Sequence, residues 1–108
     1  MTTDILVETI NEEGKAVALK GLLDSGCTCG IILKKHANKL TRGETFRYTT
    51  YGGIAASSYS TELQLKLVEF SHSKRINSNC QVDTKQTKAP YDIILGSDFL
   101  FMLKIKPN

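Results

Sequence analysis

No stretch of this 108-residue chain is long and apolar enough to cross a bilayer as a helix. Its first residues, Met1-Thr2-Thr3-Asp4, lack the basic and then apolar layout of a secretory leader. The chain therefore reads as soluble, with no membrane partner and a cytoplasmic location. A strong excess of one charge is lacking too: the net charge is +3, and Lys34-Lys35 and Lys74-Arg75 read as solvated turns. A β-barrel that binds nucleic acid wants basic and aromatic residues alternating on one sheet face. Arg47 with Tyr48, Tyr51 and Tyr59 is too sparse a set for that, so no nucleic-acid partner is expected. Cysteine is scarce and odd in number. Cys27, Cys29 and Cys80 cannot make a disulfide framework and point to a reducing compartment. A structural zinc site needs four ligands; the lone Cys27-x-Cys29 pair and the two histidines, His36 and His72, show no matching spacing. No metal and no cofactor is expected, and at least two of the three thiols read as small buried hydrophobes. Repeats, low-complexity tracts and interior linkers are absent, which leaves one domain, residues 1–108. A domain of this length lies near the lower end of self-sufficient stability, so association is expected to contribute.

What is present is mostly strand. Residues 4–10 place Ile5, Val7 and Thr9 on one face, 11–14 turn, and 15–19 return with Val17 and Leu19 alternating against polar or small positions. Leu22-Leu23 then carry the chain inward to Asp24. Residues 30–33, Gly-Ile-Ile-Leu, fit a short buried strand. Residues 34–40 predict one or two helical turns with Leu33, Ala37 and Leu40 on one side, and 41–44 a loop. Residues 46–51 and 54–59 predict two strands meeting at Gly52-Gly53, a tip with little bulk to anchor it that fits a mobile hairpin and an ordinary surface hairpin about equally well. The clearest alternation is in 62–70, with Leu63, Leu65 and Leu67 against Glu62, Gln64 and Lys66. After a turn at 71–74, residues 75–82 pair back through Ile76, Asn77, Cys80 and Val82, and a polar loop at 84–89 is closed by Pro90. Ile93 to Leu95 make an apolar strand ended by Gly96. Ser97 or Asp98 can cap a short helix with Phe99, Leu100, Met102 and Leu103 on its apolar side. About eight strands and one short helix describe an all-β, barrel-like domain.

One stretch breaks the pattern. In Gly21-Leu22-Leu23-Asp24-Ser25-Gly26 an apolar strand runs straight into an acid, a hydroxyl and a glycine. A carboxylate at the end of a buried strand is costly unless it is paired or put to use. Ser25 can donate a hydrogen bond, and Gly26 lets the backbone turn or approach another backbone closely. A plain turn accounts for the same three residues, and by composition such a triplet arises by chance in about one chain in twenty of this length.

The order of three features is more specific. An apolar strand into Asp24-Ser25-Gly26, a glycine-tipped hairpin in the middle, and Ile94-Leu95-Gly96-x-Asp98-Phe99-Leu100 before a short helix resemble the retropepsin-like aspartic proteases. The wording of residues 22–26 and 91–100 is most similar to proteases of LTR retrotransposon polyproteins of the Ty3/gypsy kind. The resemblance implies a retropepsin-like closed barrel with a flap hairpin, and peptide-bond hydrolysis by a water activated between two aspartates that share one proton. This chain has one Asp-Ser-Gly; Asp4, Asp83, Asp92 and Asp98 lack its context. Asp24 must therefore come from two chains related by a two-fold axis, which makes the active enzyme a homodimer. The implied roles are Asp24 catalytic, Ser25 and Gly26 supporting the catalytic loop, and Cys27, Tyr51, Gly52, Gly53 and Ile54 touching a polypeptide substrate, the chain's own polyprotein. The implied site of action is the cytoplasm or an intracellular virus-like particle. The competing reading is a catalytically inactive relative of the same fold that binds peptides or self-associates.

Overall fold

A computed structural model describes residues 2–24, 26–27, 29–50, 53–68, 75–85 and 89–97. The first alternating segment forms β1 (Thr2–Ile10), with Ile5, Val7 and Thr9 buried. β2 (Ala16–Asp24) returns antiparallel, in register from Ile10 opposite Ala16 to Thr2 opposite Asp24. Two local features fix this hairpin. The Asn11 side-chain oxygen accepts the backbone N–H groups of Glu13 and Lys15, and Gly14 sits at φ +81°, where a side chain would be strained. Further along, a Cβ on Gly21 would fall 2.8 Å from Val7 Cγ2, so the bulky side chains of β1 are accommodated by a glycine opposite them.

The remaining strands are β3 (Ile31–Leu33), β4 (Thr41–Thr50), β5 (Gly53–Leu67), β6 (Ile76–Asp83) and β7 (Ile93–Leu95), with a 3-10 turn at Lys34–His36. They form one sheet in the order β1-β2-β7-β3-β6-β5-β4. β5 also pairs with β1 through Val7–Leu67, Glu8–Lys66 and Thr9–Leu65. That second pairing closes the sheet into a ring and leaves β4 as an arm held by β5. Inside the ring lie Val7, Leu19, Ile32, Leu65, Val82, Ile93 and their neighbours. Each such side chain contributes about 1.5–3 kcal/mol by leaving water.

The architecture is the expected all-β barrel; several boundaries differ. Residues 41–44, read as a loop, begin β4. Its residues 41–47 are exposed, so no burial period marks them, and the pairing with β5 shifts register between Arg42 and Phe46. The strands expected at 54–59 and 62–70 are one strand, β5. Two hydroxyl residues around their junction, Ser57 and Thr61, are buried without loss, because Ser57 Oγ donates to Val82 O at 2.7 Å and Thr61 Oγ1 to Lys39 O at 3.1 Å. The helical turns expected at 34–40 shrink to Lys34–His36, since Ala37 is already extended, although Ala37 and Leu40 still pack on the core. In β6 the inward residues are Ile76, Ser78, Cys80 and Val82, with Asn77 exposed. The helix expected after Ser97 lies outside the described residues.

Candidate active site

Asp24 is the last residue of β2 and only 6% exposed. Its carboxylate Oδ1 accepts the Gly26 N–H at 2.9 Å, and its carbonyl accepts the Cys27 N–H at 3.1 Å. The first bond is an Asx turn, charge-assisted and so stronger than a neutral one; it partly offsets the cost of burying the acid. A Cβ on Gly26 would sit 3.2 Å from that Oδ1. The loop continues through Cys27, whose carbonyl accepts the Ser97 N–H at 2.8 Å and whose Sγ donates to Cys29 O at 3.1 Å. Gly96 closes this packing. A Cβ there would fall 2.6 Å from Cys27 O, 2.7 Å from Cys29 O and 2.8 Å from Cys29 N. The end of β7 can thus press on the Asp24 loop only as a glycine.

Strand alternation decides what surrounds the carboxylate. Side chains two apart share a face, so Asp24 and Leu22 look one way and Leu23 the other. Leu23 packs on the barrel core, as do Ile32, Ile93 and Leu95. Leu22 lies beside Ile94, and Ile94 beside Ile31. This row crosses β2, β7 and β3 on Asp24's face. A second apolar cluster covers it: Cys27, Ile31, Tyr48, Tyr91 and Ile94 are buried, with Leu22, Cys29, Ala55 and Ala89 packed around them. Tyr48 and Ala55 are cross-strand partners on β4 and β5, so the inner face of the hairpin arm lies over the face that carries Asp24.

Tyr48 is 3% exposed, and its ring stacks on Phe46 with centroids 6.5 Å apart. Burial, and after it the nearby Asp83 carboxylate, push the phenol up to about 12, so it stays neutral. On the arm's other face, Ile54, paired with Thr49, is 81% exposed. Of the residues implied as site residues, Asp24, Gly26 and Cys27 therefore share one loop. Gly53 opens β5 at the outer end of the arm, with Ile54 next to it. Ser25, Tyr51 and Gly52 lie outside the described residues.

Two features escaped the reading of the sequence. Tyr48, Tyr91, Ile31 and Ile94 form a buried apolar cluster on the sheet face that carries Asp24; the available signal was that Ile31-Ile32 and Ile93-Ile94 are apolar on both faces, which requires a cover on each side. The other is a clamp at Asp92. Its Oδ1 meets His36 Nε2 at 3.0 Å, its Oδ2 accepts the Lys20 N–H at 2.8 Å, its N–H donates to Lys20 O at 2.8 Å, and its carbonyl accepts the Leu33 N–H at 3.1 Å. Burial alone would raise the Asp92 carboxyl, but the Lys20 N–H, His36 and Lys35 outweigh it and hold it below the usual carboxylate value. Asp92 thereby joins β2, β3, the 3-10 turn and the start of β7. A cleft of about 360 Å³, lined by Thr9, Glu13, Lys35 and His36 among others, lies at the turn end of the first hairpin, roughly 25 Å along β1 from Asp24.

No family model matches the chain, and no curated protein matches it in sequence. Among solved structures it is similar to the solution structure of simian foamy virus (mac) protease, with a TM-score of 0.52 and 16% sequence identity over 98% of this chain and 100% of that one. The likeness is one of fold: the chain has the retropepsin-like fold.

Proposed function

We propose that this chain is one half of a homodimeric aspartic endopeptidase, a single domain over residues 1–108, that processes a polyprotein of the Ty3/gypsy retrotransposon kind in the cytoplasm or in an intracellular virus-like particle. The observation that carries the reading is the placement of Asp24: a buried carboxylate ending a strand, held by the Gly26 N–H, on the sheet face that the hairpin arm covers, in a retropepsin-like fold. The retrotransposon assignment rests on the wording of residues 22–26 and 91–100.

One carboxylate cannot both take a proton from water and present one to the scissile carbonyl. Two can, if they share a proton, as carboxylates about 3 Å apart do. A second Asp24 supplied across a two-fold axis completes that pair. In each loop Gly26 allows the close approach, and the Asx turn holds the carboxylate in place before substrate arrives. The arm, with Tyr51, Gly52, Gly53 and Ile54 at its end, closes over the peptide and excludes water. The exposed Ile54 supports this, as an apolar residue placed where a partner or peptide would cover it.

The test is cleavage of a long unstructured polypeptide between about pH 4 and 7 at several enzyme concentrations. The rate is expected to rise with the square of concentration when dilute, and Asp24→Asn to lower it by about a thousandfold or more with the fold retained. Turnover that survives Asp24→Asn, or a folded native chain that cuts nothing at high concentration, would leave a non-catalytic peptide-binding module as the better account.

A further inference from the structure

β7 is a lever three residues long, held at its two ends by different means. Beyond its far end a Cβ on Gly96 would fall 2.6–2.8 Å from backbone atoms of Cys27 and Cys29, and the Ser97 N–H donates to the Cys27 carbonyl at 2.8 Å. The Cys27 N–H in turn donates to the Asp24 carbonyl at 3.1 Å. Packing this close leaves no slack, so a shift of β7 along or about its axis is passed to the loop that holds Asp24.

The near end is Asp92, about 13 Å from Gly96 along the strand. Its N–H and carbonyl bond the Lys20 carbonyl and the Leu33 N–H, which belong to β2 and β3, and its Oδ2 accepts the Lys20 N–H. Its Oδ1 meets the one side chain among these partners, His36, at 3.0 Å. Backbone bonds do not change with pH in the ordinary range; an imidazole, which titrates near 6.5 when unperturbed, does. Protonated, His36 gives Asp92 a charge-assisted bond, about twice as strong as a neutral one. Lys34 and Lys35 share its turn, and Glu12 and Glu13 line the same cleft as His36 does. Asp92 is the acid in direct contact, and these other charges act on His36 from farther off and with opposite signs. Asp92 stays ionised near neutral pH, since its carboxyl is held below the usual carboxylate value, so His36 is the member of the pair that changes.

We propose that His36 is a positioning residue for the reaction at Asp24: it fixes the start of β7 through Asp92, β7 carries that position to the catalytic loop through Gly96 and Ser97, and the loop is set most firmly when the imidazole is protonated. Below about pH 6 the clamp is tight; above about pH 7 backbone bonds and a neutral contact alone hold the start of β7. This deepens the protease reading and rests on it for turnover, whereas the setting of the loop can be read without cleavage.

The experiment reads the loop and turnover separately. In the Asp24→Asn chain, whose loop has no acid of its own, the Gly26 and Cys27 amide signals are followed by NMR from about pH 5 to 7.5. They are expected to move with an inflection that coincides with the titration of the His36 ring, and to stand still in Asp24→Asn/His36→Gln, which keeps a donor for Asp92 but cannot ionise. Amides that ignore His36, or move equally without it, overturn the proposal. In the chain that retains Asp24, His36→Ala is expected to lower kcat about threefold to tenfold with KM little changed. The ratio of native to His36→Gln kcat, in which the pH dependence of the Asp24 pair itself cancels, is expected to rise about twofold to threefold from pH 7.5 to 5.5. A flat ratio, or a loss confined to KM, also overturns the positioning role. Absence of cleavage by the native chain while the amides still follow His36 overturns the protease reading instead.

Discussion

The two faces of β2, β7 and β3 are made of the same residue types and serve different ends. Ile93 and Ile94 are adjacent, both fully buried, and alike in the sequence. Ile93 is packed among strands of the closed ring, where every neighbour is fixed by the ladder. Ile94 lies under an arm paired along one edge and beside the loop that holds Asp24. Burial alone does not distinguish core from site; what covers the residue does. A face covered by the ring itself stabilises the fold, and a face covered by an arm held along one edge is where the proposed chemistry is placed.

Truncation is the strongest way to break this comparison. Ile93→Ala leaves a cavity that the ring cannot close and is expected to cost about 3–4 kcal/mol of stability. Ile94→Ala, where the arm can settle, is expected to cost about 1–2 kcal/mol less than that and to raise KM for peptide instead. Denaturant unfolding with peptide kinetics on both variants decides it, and equal stability losses with unchanged KM for Ile94→Ala would mean that the outer face is only more core.

Between the two faces lies Gly96. An added methyl would overlap the Cys27 and Cys29 backbone at 2.6–2.8 Å, and backbone yields less readily than a side-chain tip. Gly96→Ala is expected to cost about 1–3 kcal/mol, and to displace the Asp24 loop so that turnover falls further than stability explains. A variant that unfolds earlier but, while folded, cuts at the native rate would show that the loop does not depend on the end of β7.

The sequence was legible where one physical signal dominated. The period-two burial of Ile5, Val7 and Thr9 and of Leu63, Leu65 and Leu67 located those strands, and the abrupt acid after Leu22-Leu23 located Asp24. β4 was half hidden because an exposed arm carries no burial period, and the length of β5 was hidden because Ser57 and Thr61 are polar residues whose partners, Val82 O and Lys39 O, are remote in sequence. Gly96 does end the strand as read, but how closely it admits the Cys27 and Cys29 backbone was hidden for a related reason. A glycine that ends a strand and one that admits another backbone look the same until the second backbone is in place. Tyr48 read as flap, but nothing local says that its ring reaches Ile31 and Ile94.

Asp92 offers the finest test, because it ties the start of β7 to β2, β3 and the 3-10 turn without belonging to either face. Its carboxylate is partly exposed, at 27% of the side chain, so its pairing with His36 is worth a fraction of a buried ion pair. Asp92→Asn is expected to cost about 0.5–1 kcal/mol near neutral pH. The sign follows from the carboxyl being held below its ordinary value of 3.8. Stabilisation by the ionised group is fully present above about 3.8 and is lost as the pH falls through the lower folded-state value, where the unfolded chain already binds the proton. The native chain and Asp92→Asn should therefore differ in denaturant midpoint at about pH 6 and converge toward about pH 2. A gap that persists undiminished in acid would mean that the geometry of the Lys20 and Leu33 bonds, and not the charge at Asp92, positions β7. In that case both faces would be set by the backbone, and only their covers would tell them apart.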